Sequence, residues 1–185
     1  MNNYRVNTNY AKALYMLAND MGTAEQVHDD MRLVAKVCAE NHELNVVFAN
    51  PTIPYERKLA VVNELFGQHV CETTMVFLRF IVRKNRAINL RGISESFINI
   101  YRDEHGILLS DLVTHQPIDE TARRMVVDMV KEYTGKQVEL NDHTDPKMLG
   151  GFKLEFDNKM YDARIRSKIR RLRQAFAKNE YESKL

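Results

Sequence analysis

Little in this chain of 185 residues is placed to do chemistry. It has two cysteines, Cys38 and Cys71, far apart and with no partner at Cys-x-x-Cys spacing. Their apolar, helix-patterned surroundings favour buried thiols in a reducing compartment over a disulfide. Six histidines are scattered without a His-x-x-x-His pair, and His42-Glu43 lacks a second histidine at the zincin offset, so no metal site is expected. No serine stands in a Gly-x-Ser-x-Gly elbow, and neither Gly-x-Gly-x-x-Gly nor Gly-x-x-x-x-Gly-Lys occurs; no catalytic residue and no cofactor site is expected. Acidic pairs such as Asp29-Asp30 and Asp103-Glu104 fall where a helix turns them to solvent. Apolar runs never approach the ~20 residues that cross a bilayer, and Met1 to Thr8 is polar, without a signal core. The expectation is a cytoplasmic chain that meets membranes only through partners.

Hydrophobic residues make up 44% and charged residues 28%, which is globular composition rather than disordered. A net charge of +2 is too small for a general polyanion binder, so basic function must be local. Asn7, Thr8 or Asn9 can cap a first helix carrying Tyr10, Ala13, Leu14, Leu17, Ala18 and Met21 on one stripe, ended by Gly22. Thr23 with Gln26 has the spacing of a capping box for a second, with Val27, Met31, Val34 and Cys38 inward. Leu44 to Ala49 forms a third helix, stopped before Pro51, and Pro54 opens a fourth with Leu59, Val62, Leu65 and Phe66.

The fifth helix, about Glu72 to Lys84, has almost no polar face; it is either enclosed or keeps one apolar strip for a partner. A long sixth helix runs from Ile88 to about His105, and Gly106 closes it. Beyond Gly106 the pattern changes. Ile107 to Val113 is strand-like up to Pro117, Asp119 can cap a helix through Tyr133, and Val138 with Leu140 suggests another strand. Phe152, Leu154 and Phe156 alternate with polar residues, Asp157-Asn158 suits a turn, and Met160 to Asp162 can pair back as a hairpin. The fold class expected is α+β, with residues 1–106 a six-helix bundle and residues 107–185 a smaller mixed α/β domain.

The last helix is the one charge anomaly. From Ala163 to Lys178 it carries Arg164, Arg166, Lys168, Arg170, Arg171, Arg173 and Lys178 without an acid, around a stripe of Ile165, Ile169, Leu172 and Phe176. With that stripe docked on the sheet, the basic face could meet nucleic-acid phosphates, an anionic lipid surface or an acidic partner helix, or simply be solvated. Interleaved aromatics, which single-stranded nucleic acid favours, are missing.

Three motifs in order carry a resemblance. Tyr10-Ala11-Lys12-Ala13-Leu14, the run from Phe77 to Arg86, and the glycine pair, hairpin and basic helix from Gly150 onward resemble the delta subunit family of F-type ATP synthases, which includes the oligomycin-sensitivity-conferring protein. The resemblance implies a non-catalytic stator subunit, one copy per complex, at the cytoplasmic side of the bacterial plasma membrane. It implies that the bundle binds the N-terminal helix of an alpha subunit in a groove between the first and fifth helices. It implies too that the second domain grips the b subunits of the peripheral stalk. Candidates for that groove are Tyr10, Ala13, Leu14, Leu17, Phe77, Phe80 and Ile81; candidates for the stalk are Arg164, Arg166, Arg170 and Arg173. The alternative from another class is an RNA- or ribosome-associated basic binding module.

Overall fold

A computed structural model describes residues 3–157 and 159–178. The chain divides into two compact units, Met1–Glu104 and His105–Leu185. The first holds helices α1 (Asn3–Asp20), α2 (Ala24–Glu40), α3 (His42–Ala49), α4 (Tyr55–Phe66), α5 (Glu72–Arg83) and α6 (Leu90–Glu104), with a 3-10 turn at Ala87–Asn89 leading into α6. Its core collects one stripe from each helix: Ala11, Leu14 and Ala18 from α1, Val27, Met31 and Val34 from α2, Leu44 and Phe48 from α3, Val62 and Phe66 from α4, and Leu78, Ile81, Ile93 and Phe97 from α5 and α6. The α1–α6 contact is close: a Cβ added at Gly92 would lie 2.1 Å from Nδ2 of Asn7, so a larger residue there would have to displace the Asn7 side chain.

Two capping expectations fail for local reasons. α1 begins well before Asn7, and Thr8 is a helical residue whose hydroxyl donates to the Tyr4 carbonyl at 2.9 Å. Thr23 makes no side-chain cap on α2. It is already committed to ending α1: the Thr23 amide donates to the Ala18 carbonyl at 2.8 Å and the Gly22 amide to Asn19 at 3.1 Å, with Gly22 at φ +66°. That is the double-bonded left-handed stop, and it turns the Thr23 hydroxyl toward Ala18 as well. Lys58 is buried, and its Nζ donates to the Phe48 carbonyl at 2.9 Å. This lysine satisfies a carbonyl at the end of α3 that the helix cannot.

The second unit holds β1 (Ile107–Thr114), α7 (Glu120–Thr134), β2 (Gln137–Thr144), β3 (Phe152–Phe156), β4 (Lys159–Asp162) and α8 (Ile165–Lys178). The sheet order is β2-β1-β3-β4, with β1 parallel to β2 and antiparallel to β3. α7 supplies the crossover a parallel pair requires. Asp119 caps it, accepting the Ala122 amide at 2.8 Å, and Gly135 at φ +68° ends it. α7 covers one face of the sheet, where Val130 packs with Leu112, Leu140 and Leu154. β3 and β4 pair as the expected hairpin, with Asp157 at φ +46° in its turn; Asn158 lies outside the described residues. The fold class is α+β, its first part helical.

The apolar stripe of α8 is only partly covered where it is described: Ile165 and Ile169 are 45% and 44% exposed. The side chains of Leu172 and Phe176 lie outside what is described. The apolar face of the sheet is taken by α7. By alternation and register the opposite face carries Asp111, Asn141, Lys153 and Glu155, joined by an Asn141–Asp111 hydrogen bond of 3.3 Å and a Lys153–Glu155 ion pair. The same face also carries Leu109 and Val113 of β1, so it mixes polar and apolar residues.

Candidate functional site

α1 and α5 line an open apolar groove on the first unit. The Tyr10 ring meets the Phe80 ring edge-on, centroids 6.3 Å apart, and at the other end the Thr73 hydroxyl lies 3.9 Å from the Met21 sulfur. Between these ends Leu17 is 46%, Val76 55% and Phe80 43% exposed, and Leu17, Met21, Glu72, Thr73 and Val76 border a cleft of about 330 Å³. The spacing explains it. Tyr10, Ala13, Leu17 and Met21 follow one helical row, while Thr73, Val76 and Phe80 follow another on α5.

The sequence candidates divide between this groove and the core. Tyr10, Ala13, Leu17 and Phe80 face the groove or solvent. Leu14 at 1%, Ile81 at 0% and Phe77 at 8% exposure belong to the interior, because each sits a rotation of about 60–100° from its groove-facing neighbour and so turns to the core. These three are corrected from candidate contacts to supports of the groove floor. Val76 and Met21 were missed as site residues; their signal is the continuation of the same two rows.

The second candidate patch begins at the junction of β4 and α8. A Cβ added at Gly151 would lie 2.4 Å from the Ala163 carbonyl oxygen and 2.9 Å from the Arg164 Cα. Gly151 itself holds φ +85°, so the glycine pair permits both the turn and the close approach. Asp162 then organises the start of α8. Its Oδ1 accepts from the Arg164 amide at 3.0 Å and Nε at 2.9 Å, and its Oδ2 accepts from Arg164 Nη2 at 2.6 Å and the Ser167 hydroxyl at 2.8 Å. The Arg164 side-chain hydrogen bond, above all, holds the Asp162 carboxyl well below the usual carboxylate range.

Arg164 is therefore corrected: its guanidinium is spent inside the chain. Arg166 and Arg170 are exposed, have no ion-pair partner among the described residues, and with Lys147 and Asp145 border a cleft of about 320 Å³. The Arg173 side chain lies outside what is described. A further apolar surface was not anticipated. Met125, Met129 and Tyr133, a row on the outer side of α7, are exposed, as are Met160 and Tyr161 of β4. A cleft of about 350 Å³ runs between the two elements, and Lys159 Nζ stands 5.0 Å from the centre of the Tyr133 ring. α7 thus has two apolar stripes, the second largely exposed and touching the sheet where the Tyr133 and Phe156 rings meet edge-on, centroids 5.9 Å apart.

Chemical groups are sparse around these surfaces. Among the described residues no three His, Cys, Asp or Glu side chains come together to hold a metal ion, and no helix is long and apolar enough to cross a membrane. Burial pushes the Cys38 thiol up to about 11, which disfavours the thiolate a nucleophile needs.

Comparison with known proteins covers both units. The family model for the "ATP synthase delta (OSCP) subunit" matches residues 6–176. The chain is 34% identical over 176 residues to the ATP synthase subunit delta of Cytophaga hutchinsonii, with 95% of this chain and 96% of the relative covered. It is 32% identical over 169 residues to that of Salinibacter ruber, with 91% and 89% covered. A chain in the cryo-EM structure of the Toxoplasma gondii mitochondrial ATP synthase hexamer shares the fold, with a TM-score of 0.68 at 20% identity and 92% and 97% covered. Since both the helical bundle with its open groove and the sheet with its basic last helix fall inside these matches, the chain belongs to the ATP synthase delta (OSCP) subunit family.

Proposed function

We propose that this subunit is a non-catalytic stator element of a proton-translocating F-type ATP synthase. It ties the catalytic head to the peripheral stalk on the cytoplasmic side of a bacterial plasma membrane, so that the head does not turn with the central stalk. The observation that carries this reading is the α1/α5 groove. Tyr10, Leu17, Val76 and Phe80 leave apolar surface open in two parallel rows, the form that receives an amphipathic helix with anchors at i, i+3 or i+4, and i+7. Its occupant is the N-terminal helix of the alpha subunit. The work asked of such a joint is affinity and torsional integrity, which need packed rows rather than reactive groups.

The stalk contact is assigned to the second unit. Arg166 and Arg170 present unpaired charge beside the exposed Ile165 and Ile169 of α8, a surface suited to an acidic amphipathic stretch of the b subunits. Calorimetry of the full chain with a synthetic peptide from the N-terminus of the same organism's alpha subunit tests the head contact. Micromolar or tighter binding that survives moderate salt supports the reading, since apolar contacts are weakly screened; no binding to the folded chain sinks it. Charge reversal at Arg166 and Arg170 should weaken b-subunit binding at low salt and leave the alpha peptide untouched. Steep salt dependence of RNA binding would instead favour a nucleic-acid module.

A further inference from the structure

The α1/α5 groove is not electrically uniform. At the Tyr10–Phe80 end, Arg83 follows Phe80 by three residues, and Lys84 Nζ stands 5.5 Å from the centre of the Phe80 ring. Arg79, the remaining cation of this stretch of α5, is turned aside, its Nε donating to Asn63 at 2.9 Å. The α1 residues on this side of the groove, Val6, Asn9 and Ala13, carry no charge. At the opposite end the signs reverse. Asp20 follows Leu17 by three residues, and Glu72 borders the same cleft as Leu17, Met21 and Val76. Both are exposed, and among the described residues none of Asp20, Glu72, Arg83 or Lys84 has an ion-pair partner.

We propose that the groove takes its helix in an electrically ordered form. The partner is an amphipathic helix whose acidic end lies against Arg83 and Lys84 beside Phe80, and whose basic end lies against Asp20 and Glu72 beside Leu17 and Met21. The inference rests on the reading of this groove as the seat of the alpha-subunit helix and adds to it the partner's charge order. The physical case is complementarity. The apolar rows run the length of the groove and would accept the helix at several axial positions, whereas opposite charges at the two ends favour one register and penalise the reverse placement. For a joint under torque, a fixed register matters as much as affinity. The four charges sit at the rim, so each pair contributes modestly and in a salt-dependent way.

The test is a double-mutant cycle by calorimetry at low salt, using the full chain and the alpha-subunit N-terminal peptide. The peptide is made unmodified, with its acids changed to amides, and with its lysines and arginines changed to glutamine. The proteins are wild type, Arg83→Gln/Lys84→Gln and Asp20→Asn/Glu72→Gln. Each protein variant should bind the unmodified peptide about three- to tenfold more weakly, the sum of two exposed pairs. Removing the peptide's acids should abolish the effect of the Arg83/Lys84 variant alone, and removing its bases should abolish the effect of the Asp20/Glu72 variant alone, with the crossed combinations additive. Coupling in the crossed combinations, or none anywhere while the peptide binds, overturns the charge order and leaves the groove assignment standing. Failure of the unmodified peptide to bind a chain that circular dichroism shows to be folded overturns both.

Discussion

Phe80 and Ile81 are neighbours in sequence, and replacing each with alanine should do opposite things. Phe80 keeps 43% of its surface exposed while Ile81 keeps none. An aromatic side chain buries roughly 200 Å² when fully covered, so a partner that closes over the exposed part of Phe80 removes about 85 Å² from water, about 2 kcal/mol at 25 cal/mol per Å². Phe80→Ala should therefore weaken the alpha-subunit peptide about thirtyfold and shift the urea midpoint little. Ile81→Ala leaves a cavity in a closed core and should cost about 2–5 kcal/mol of stability. Peptide affinity measured on the fraction still folded should be nearly unchanged. Calorimetry gives the affinities, and urea unfolding followed by circular dichroism gives the stabilities. Unchanged affinity in Phe80→Ala would refute the placement of the groove, and so would an affinity loss matched by an equal loss of stability, because then Phe80 would be core and not contact surface.

Other consequences are more local. Gly151→Ala puts a Cβ against the Ala163 carbonyl at a φ of +85°, and should destabilise the second unit by at least about 2 kcal/mol, read as faster amide exchange in β3 and β4. The Asp162 carboxyl, depressed chiefly by the Arg164 hydrogen bond, holds the start of α8 with a stability that is fully present above the unfolded pKa of about 3.9 and is lost as pH falls through the lower folded value. The Arg164 and Ser167 amide resonances should then stay fixed from pH ~7 down to pH ~4 and move only below that; a midpoint at the ordinary carboxylate value would contradict the clamp, and Asp162→Asn should remove the transition. Because Cys38 is buried with its thiol pushed up to about 11 while Cys71 is only half-buried, a thiol reagent at pH ~8 should label one site in the native chain and the second only in denaturant. Rapid native labelling of both would mean that the α2 core is open.

Much of the architecture was legible because it is written in period. Val27, Met31, Val34 and Cys38 recur at helical spacing and all four are buried, and the alternation of Phe152, Leu154 and Phe156 appears as β3 of the hairpin. Asp119 caps α7 as a short acceptor before an amphipathic run should. What period does not encode is which surface a stripe meets. Leu14 and Leu17 are equally apolar and so are Phe77 and Phe80; only the neighbours packed on each helix decide which member of a pair is covered. The Thr23 capping box had the right letters and lost to a competitor for the same residue, the left-handed stop of α1. Lys58 gave no sign at all, since a lysine in a helix reads as solvated until a carbonyl such as that of Phe48 is placed over it. Arg164 looked like part of a basic face because the acid that claims it lies before the helix begins.

The surplus of apolar surface follows from how each unit closes its core. In the first unit α5 is apolar on more than one side, and its interior needs only Leu78, Ile81 and their neighbours, which leaves Val76 and Phe80 beside Leu17 without cover. In the second, the sheet buries Val130 of α7 and leaves Met129 and Tyr133 largely exposed. On α8, Ile165 and Ile169 keep nearly half of their surface exposed. Lone exposed apolar residues are ordinary, but contiguous rows rimmed by charge are not, because each keeps a standing free-energy gain for whatever covers it. Such rows occur on both units, so each has its own capacity to hold another chain. Under the proposed stator reading, that capacity on each unit is what a link between two bodies requires.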